Sequence, residues 1–96
     1  MITSKQRSTL RSLAHHIKPS VFIGKSGLTE GAFFAINQSL DSHELIKVKF
    51  NASKDSRDEL KNKAEEKLSA HIVGSIGSTL IIFRPHEDEE KRKYKI

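Results

Sequence analysis

The stretch Lys18-Pro19-Ser20-Val21-Phe22-Ile23-Gly24-Lys25-Ser26-Gly27-Leu28-Thr29-Glu30-Gly31 decides how the rest of the sequence is read. Pro19 cannot continue a helix and disfavours helical backbone at the residue before it, so a preceding helix ends here. Val21-Phe22-Ile23 is short, β-rich and bounded by glycine, which suits a buried strand. Gly24 opens a turn. Thr29 can act as an N-cap and Glu30 is favourable in a first helical turn, so a second helix begins at once. A strand therefore runs through a Gly-x-x-Gly turn straight into a helix.

Upstream, Leu10, Leu13, Ala14 and Ile17 fall at helical spacing, and Thr3 followed by Gln6 reads as a capping box, which predicts a first helix over residues 4–17. Downstream, Ala32, Phe33, Ile36 and Leu40 carry the second helix from Thr29 to about Ser42. Leu45 to Phe50 alternates strictly, with Ile46, Val48 and Phe50 on one side and Lys47 and Lys49 on the other, the pattern of a half-buried strand with a basic open face. Residues 51–56 read as a polar loop. Leu60, Ala64 and Leu68 mark a narrow apolar stripe on a third helix over 56–69. His71-Ile72-Val73 and Thr79 to Arg84 read as two strands joined by Gly74-Ser75-Ile76-Gly77-Ser78. The order αβαβαββ predicts a single α/β (α+β) domain over 1–85, with a mixed four-stranded sheet packed by helices. Residues 86–96 are expected to form a charged, solvated tail.

The balance of 35% apolar and 30% charged residues in 96 positions belongs to a globular chain. Seventeen Lys and Arg against twelve Asp and Glu leave a formal charge of +5, which points to a polyanionic partner. Cysteine is absent, which excludes a disulfide framework, a thiolate metal site and a cysteine nucleophile. No stretch approaches the roughly 20 apolar residues of a membrane span, and the N-terminus lacks the apolar run of a signal peptide, so a cytoplasmic protein without a membrane partner is expected. His15 and His16 point about 100° apart on a helix and no nucleophile–base spacing occurs. The expectation is a non-enzyme with no metal and no cofactor.

The positive charge has a location. Residues 1–27 hold Lys5, Arg7, Arg11, Lys18 and Lys25 with no acid, whereas residues 28–96 hold twelve charges of each sign. Arg7, Arg11, His15 and Lys18 share one stripe of the first helix. The Gly24–Gly27 turn admits two readings. Glycines let backbone amides approach a phosphate, the helix start supplies unsatisfied N–H groups and Lys25 adds charge; or the glycines merely permit a tight turn. Lys47 and Lys49 suit either an anion-facing surface or protection of a sheet edge. The third helix, with Glu59 to Lys63 at i, i+4, reads as a solvated charged face. The second Gly-x-x-Gly, Gly74 to Gly77, carries no basic residue and reads as turn chemistry.

Leu13-Ala14-His15, Lys18-Pro19, the run Ile23 to Gly31, His43 to Lys49 and Ile76 to Pro85 together resemble the CRM domain, the chloroplast RNA splicing and ribosome maturation module, in its bacterial stand-alone YhbY form. The resemblance spans about residues 3–85. It implies a fold similar to the C-terminal domain of translation initiation factor three, RNA binding through the Gly24–Gly27 loop, and association with precursors of the large ribosomal subunit. The loop is compared with that of KH domains, although a KH loop joins two helices. Phe83 stands where a tyrosine is common, and Gly74 is an additional glycine. On this reading Gly24, Lys25, Ser26 and Gly27 grip the backbone, and Arg7, Arg11, Lys18, Lys47, Lys49 and Arg84 attract it. With one Tyr, no Trp and every Phe in an apolar pattern, the Phe residues are expected in the core, and binding is expected to be backbone-led on structured rRNA by a monomer. The alternative is a protein-interaction module docking on an acidic partner.

Overall fold

Thr3 opens the first helix in the computed structural model, which describes residues 2–51 and 54–94. Its hydroxyl accepts from the Gln6 amide at 3.1 Å while the Gln6 side chain accepts from the Thr3 amide at 2.9 Å, completing the capping box that starts α1 (Ser4–Ala14). The helix ends three residues before Ile17. The amides of His15, His16 and Ile17 bond back only three positions, to Ser12, Leu13 and Ala14, so the last turn tightens out of α geometry ahead of Pro19.

The remaining elements are β1 (Val21–Ile23), α2 (Glu30–His43), β2 (Leu45–Phe50), α3 (Lys54–Leu68), β3 (His71–Ile76) and β4 (Thr79–Phe83). The sheet order is β1-β2-β4-β3, with β1 parallel to β2 and the other pairs antiparallel, which is the mixed four-stranded sheet the αβαβαββ order predicts. Two further boundaries differ. α3 begins at Lys54, inside the segment read as a loop, of which Ala52 and Ser53 lie outside the described residues. β3 runs on to Ile76, so the hairpin turn shrinks to Gly77-Ser78, with Gly77 at the positive φ of 57° that so short a connection favours.

Each face of the sheet has its own core. Behind it, α2 and α3 bring Ile36, Leu40, Leu60 and Leu68 against Val21, Ile23, Ile46, Val48, Phe50, Leu80 and Ile82. On the front, α1 sets Leu10 and Ala14 on Leu45, Val73, Ile81 and Phe83. β4 lies between both layers, which is why Leu80, Ile81, Ile82 and Phe83 are all buried in an unbroken apolar run. α1 is short and covers only the half of the front face that holds Leu45, Val73, Ile81 and Phe83.

A β-bulge interrupts β3. Ile72 pairs with Ile82 and Gly74 with Ile81, leaving Val73 unmatched, so Val73 and Gly74 both lie on the front and the facing of the residues after them is shifted by one, which brings Ile76 to the front opposite Thr79. Gly74, the additional glycine, lies under Arg11: a Cβ there would stand 3.1 Å from the Arg11 Nε.

The segment after Pro85 is tied back to the domain at His86, Lys93 and Tyr94, while residues 87–91 between them are exposed as a solvated tail would be; Lys95 and Ile96 lie outside the described residues. Glu44, 2% exposed, accepts the His86 amide at 2.6 Å and the Lys93 amide on its two carboxylate oxygens. Lys93 Nζ donates to the Ser42 carbonyl at 2.9 Å, and Tyr94 meets Phe83 edge-on with ring centroids 6.3 Å apart. Glu44 also caps α2 with φ 65° and ψ −50°, a conformation that strains any residue with a Cβ.

Candidate nucleic-acid interface

The Gly-x-x-Gly loop is built by β1, α2 and α3 together. The Ile23 carbonyl ends β1 by accepting from the Asn51 amide at 2.8 Å. The Gly27 amide then donates to the Gly24 carbonyl at 3.0 Å, closing a four-residue turn, and the Thr29 amide donates to the Gly27 carbonyl at 3.1 Å. Thr29 Oγ1 accepts from the Ala32 amide at 3.1 Å, so α2 starts from the N-cap the sequence proposes. Gly24, Lys25 and Ser26 are exposed.

The two glycines are not equivalent. Gly27 has φ 71°, and a Cβ on it would stand 3.0 Å from Ser56 Oγ at the start of α3. Gly24 has no positive φ, and a Cβ on it would meet nothing within 4 Å. The fold needs glycine at 27 and does not need it at 24. The hairpin turn meets the same end of the sheet: Arg57 on α3 donates to the Gly77 carbonyl at 2.5 Å, and the Phe50 amide donates to the Ser78 carbonyl.

The predicted cations divide by position. Lys47 and Lys49 lie on the front face of β2, half-buried and exposed respectively, beyond the reach of α1. Arg11 joins them over Gly74. Lys25 projects from the loop at the edge of this surface. Arg7 lies toward the opposite end, near His71; burial lowers the His71 pKa from its ordinary 6.5 and the Arg7 guanidinium adds to the effect, against the pull of Glu65. Lys18 lines a cavity of about 190 Å³ with Ile17, His43 and Tyr94. Arg84, expected among the backbone-attracting cations, sits at the far end of β4 from the loop. Its guanidinium donates to Asn37 Oδ1 (2.7 Å), the Leu68 carbonyl (2.8 Å), the Asn37 carbonyl (3.0 Å) and Asp41 Oδ1 (2.6 Å), tying α2 and α3 to the sheet.

One expectation is overturned. The Phe residues are not all core: Phe22 is 61% and Phe34 63% exposed. β1 is an edge strand of three residues, and with Val21 and Ile23 turned to the rear core, the alternation of a strand puts Phe22 on the uncovered front face. Period-two reading of Val21-Phe22-Ile23 carries that signal. Among the described residues no three His, Asp or Glu side chains converge to hold a metal, and no helix is long and apolar enough to cross a membrane.

Residues 2–84 match the model of the CRS1/YhbY (CRM) domain. The chain is 39% identical over 88 residues to a Haemophilus influenzae protein named an RNA-binding protein, covering 91% of this chain and 89% of that one. It is 33% identical over 91 residues to a Pseudomonas aeruginosa protein named a probable RNA-binding protein, covering 94% of this chain and 88% of that one. The solution structure of a hypothetical protein from Staphylococcus aureus superposes with a TM-score of 0.79 at 35% identity, covering 99% of this chain and all of that one.

Proposed function

Because the chain belongs to the CRS1/YhbY (CRM) domain family, we propose that it binds RNA, gripping the sugar-phosphate backbone at Gly24-Lys25-Ser26-Gly27, and that its target is ribosomal RNA in precursors of the large ribosomal subunit. The observation that carries this reading is Gly24: an exposed glycine that the backbone does not require, with open space where a side chain would be, beside Lys25 and the start of α2. Such a gap admits a phosphate to the backbone amides, and a helix start favours the negative charge. Arg11, Lys47 and Lys49 continue the positive surface from the loop, with Arg7 and Lys18 at its flanks. Arg84 contributes to the overall charge only, since both its terminal nitrogens are bonded within the fold.

Gly24→Asp tests the grip, because it introduces bulk and negative charge where the fold tolerates both. RNA affinity should fall at least about tenfold while the thermal midpoint stays near that of the parent protein. Unchanged affinity in the folded variant would make the loop a turn and nothing more. The target is tested separately by sedimenting cell extract at low salt and sequencing the RNA recovered with the protein; migration apart from large-subunit precursors would sink the assembly role.

A further inference from the structure

The half of the front face that α1 leaves bare carries one row of side chains, one from each strand. Phe22 is in register with Lys49, Lys49 with Thr79, and Thr79 with Ile76. The row ends in two open apolar groups, Phe22 at 61% and Ile76 at 47% exposure. The Lys49 backbone lies one strand spacing, about 5 Å, across the sheet from that of Phe22, and Gly24 lies two residues further along the chain, about 7 Å from Phe22.

We infer that Phe22 is a stacking platform for an unpaired RNA base, with Lys49 taking the adjoining phosphate. The inference rests on the RNA-binding reading and deepens it, naming unpaired nucleotides as the class held on this face. An aromatic ring offers a π-face to any base, and a neighbouring lysine neutralises the backbone that brings the base to it. A strand gripped at Gly24 comes within reach of the ring directly. Charge favours this occupant over others. Every Asp and Glu outside residues 87–90 belongs to α2, to its cap Glu44 or to α3, the layer behind the sheet. The front face is therefore free of acids around Phe22. A second copy seated on the same row by two-fold symmetry would set lysine near lysine.

The sequence has no tryptophan, so Phe22→Trp installs a single fluorescent reporter on the full chain. Titration with a single-stranded oligoadenylate of about twelve nucleotides should quench the indole, and an RNA duplex of the same length should not. Phe22→Ala should weaken single-strand binding about tenfold and leave duplex binding within about twofold. Duplex binding retained, with no quenching and no loss of single-strand affinity in Phe22→Ala, overturns the platform and leaves the RNA-binding reading standing. If neither RNA binds the parent protein, that reading falls and the platform with it. Self-association of the parent protein that Phe22→Ala abolishes, with single-strand affinity unchanged, would assign the ring to a second copy and also overturn the proposal.

Discussion

Gly24 and Gly27 carry the same letter and answer to different demands. Gly27 needs a left-handed backbone and a clear approach to Ser56, so Gly27→Ala should cost about 1–2 kcal/mol in urea unfolding. Gly24→Ala should stay within about 0.5 kcal/mol of the parent protein. Equal losses at both positions would refute the division of labour. The spacing of the motif is visible in the sequence, but the difference between its glycines is a matter of φ and of a neighbour from α3, neither of which is local. Phe22 has a related explanation: alternation singles it out within Val21-Phe22-Ile23, but a short apolar run also suits burial on both faces, and the choice is made by the sheet order, which puts the strand at an edge, and by α1, which stops short of it. His71 gives a pH dependence. Its folded-state pKa lies below 6.5, so at lower pH the unfolded chain binds a proton that the folded one resists. Stability should be full above about pH 6.5 and decline as pH falls below it, and His71→Gln should flatten that decline in a series of denaturation curves.

Among the elements, the segment 86–94 departs furthest from its composition. Alternating blocks of acid and base suggest a solvated end, yet a single buried carboxylate holds two of its amides. Glu44→Ala removes both acceptors and should destabilise the fold by about 2 kcal/mol. Glu44→Gly should be less damaging than Glu44→Ala, since glycine enters a φ of 65° without strain. The reverse ranking, by thermal unfolding, would show that the backbone at position 44 stores nothing. The regular elements were legible because period and caps are encoded nearby: Thr3 with Gln6 and Thr29 with Ala32 form the bonds that start α1 and α2. Where partners are remote, the boundaries moved. β3 extends through Gly74 because β4 offers it a ladder, and its bulge at Val73 shifts the facing of the residues beyond, which puts Gly74 under Arg11 and Ile76 on the front.

At the scale of the molecule, the net charge of +5 is a separation of charge. α1, Lys18, Lys25 and the front of β2 together hold seven Lys and Arg and no acid; α2 with its cap and α3 hold eight acids and five bases. Bound polyanion should therefore release counterions from one side only. Affinity for RNA should fall linearly on a plot of log K against log salt, and Lys49→Ala should reduce the slope by about one. Lys61→Ala, on the exposed side of α3, should leave the slope unchanged. Equal effects of the two substitutions would remove the sidedness of the surface. This polarity was half legible: the acid-free first 27 residues are plain in the sequence, but only the topology adds Lys47 and Lys49 to the same side.

The unequal cores imply a hierarchy of opening. Twelve described residues cluster behind the sheet and six in front of it. Amide hydrogens of α1 should therefore exchange through a partial opening that costs less than global unfolding, whereas those of β2 and β4 should exchange only when the whole domain unfolds. The basic layer can then lift as a unit, briefly, from a sheet that remains folded behind it.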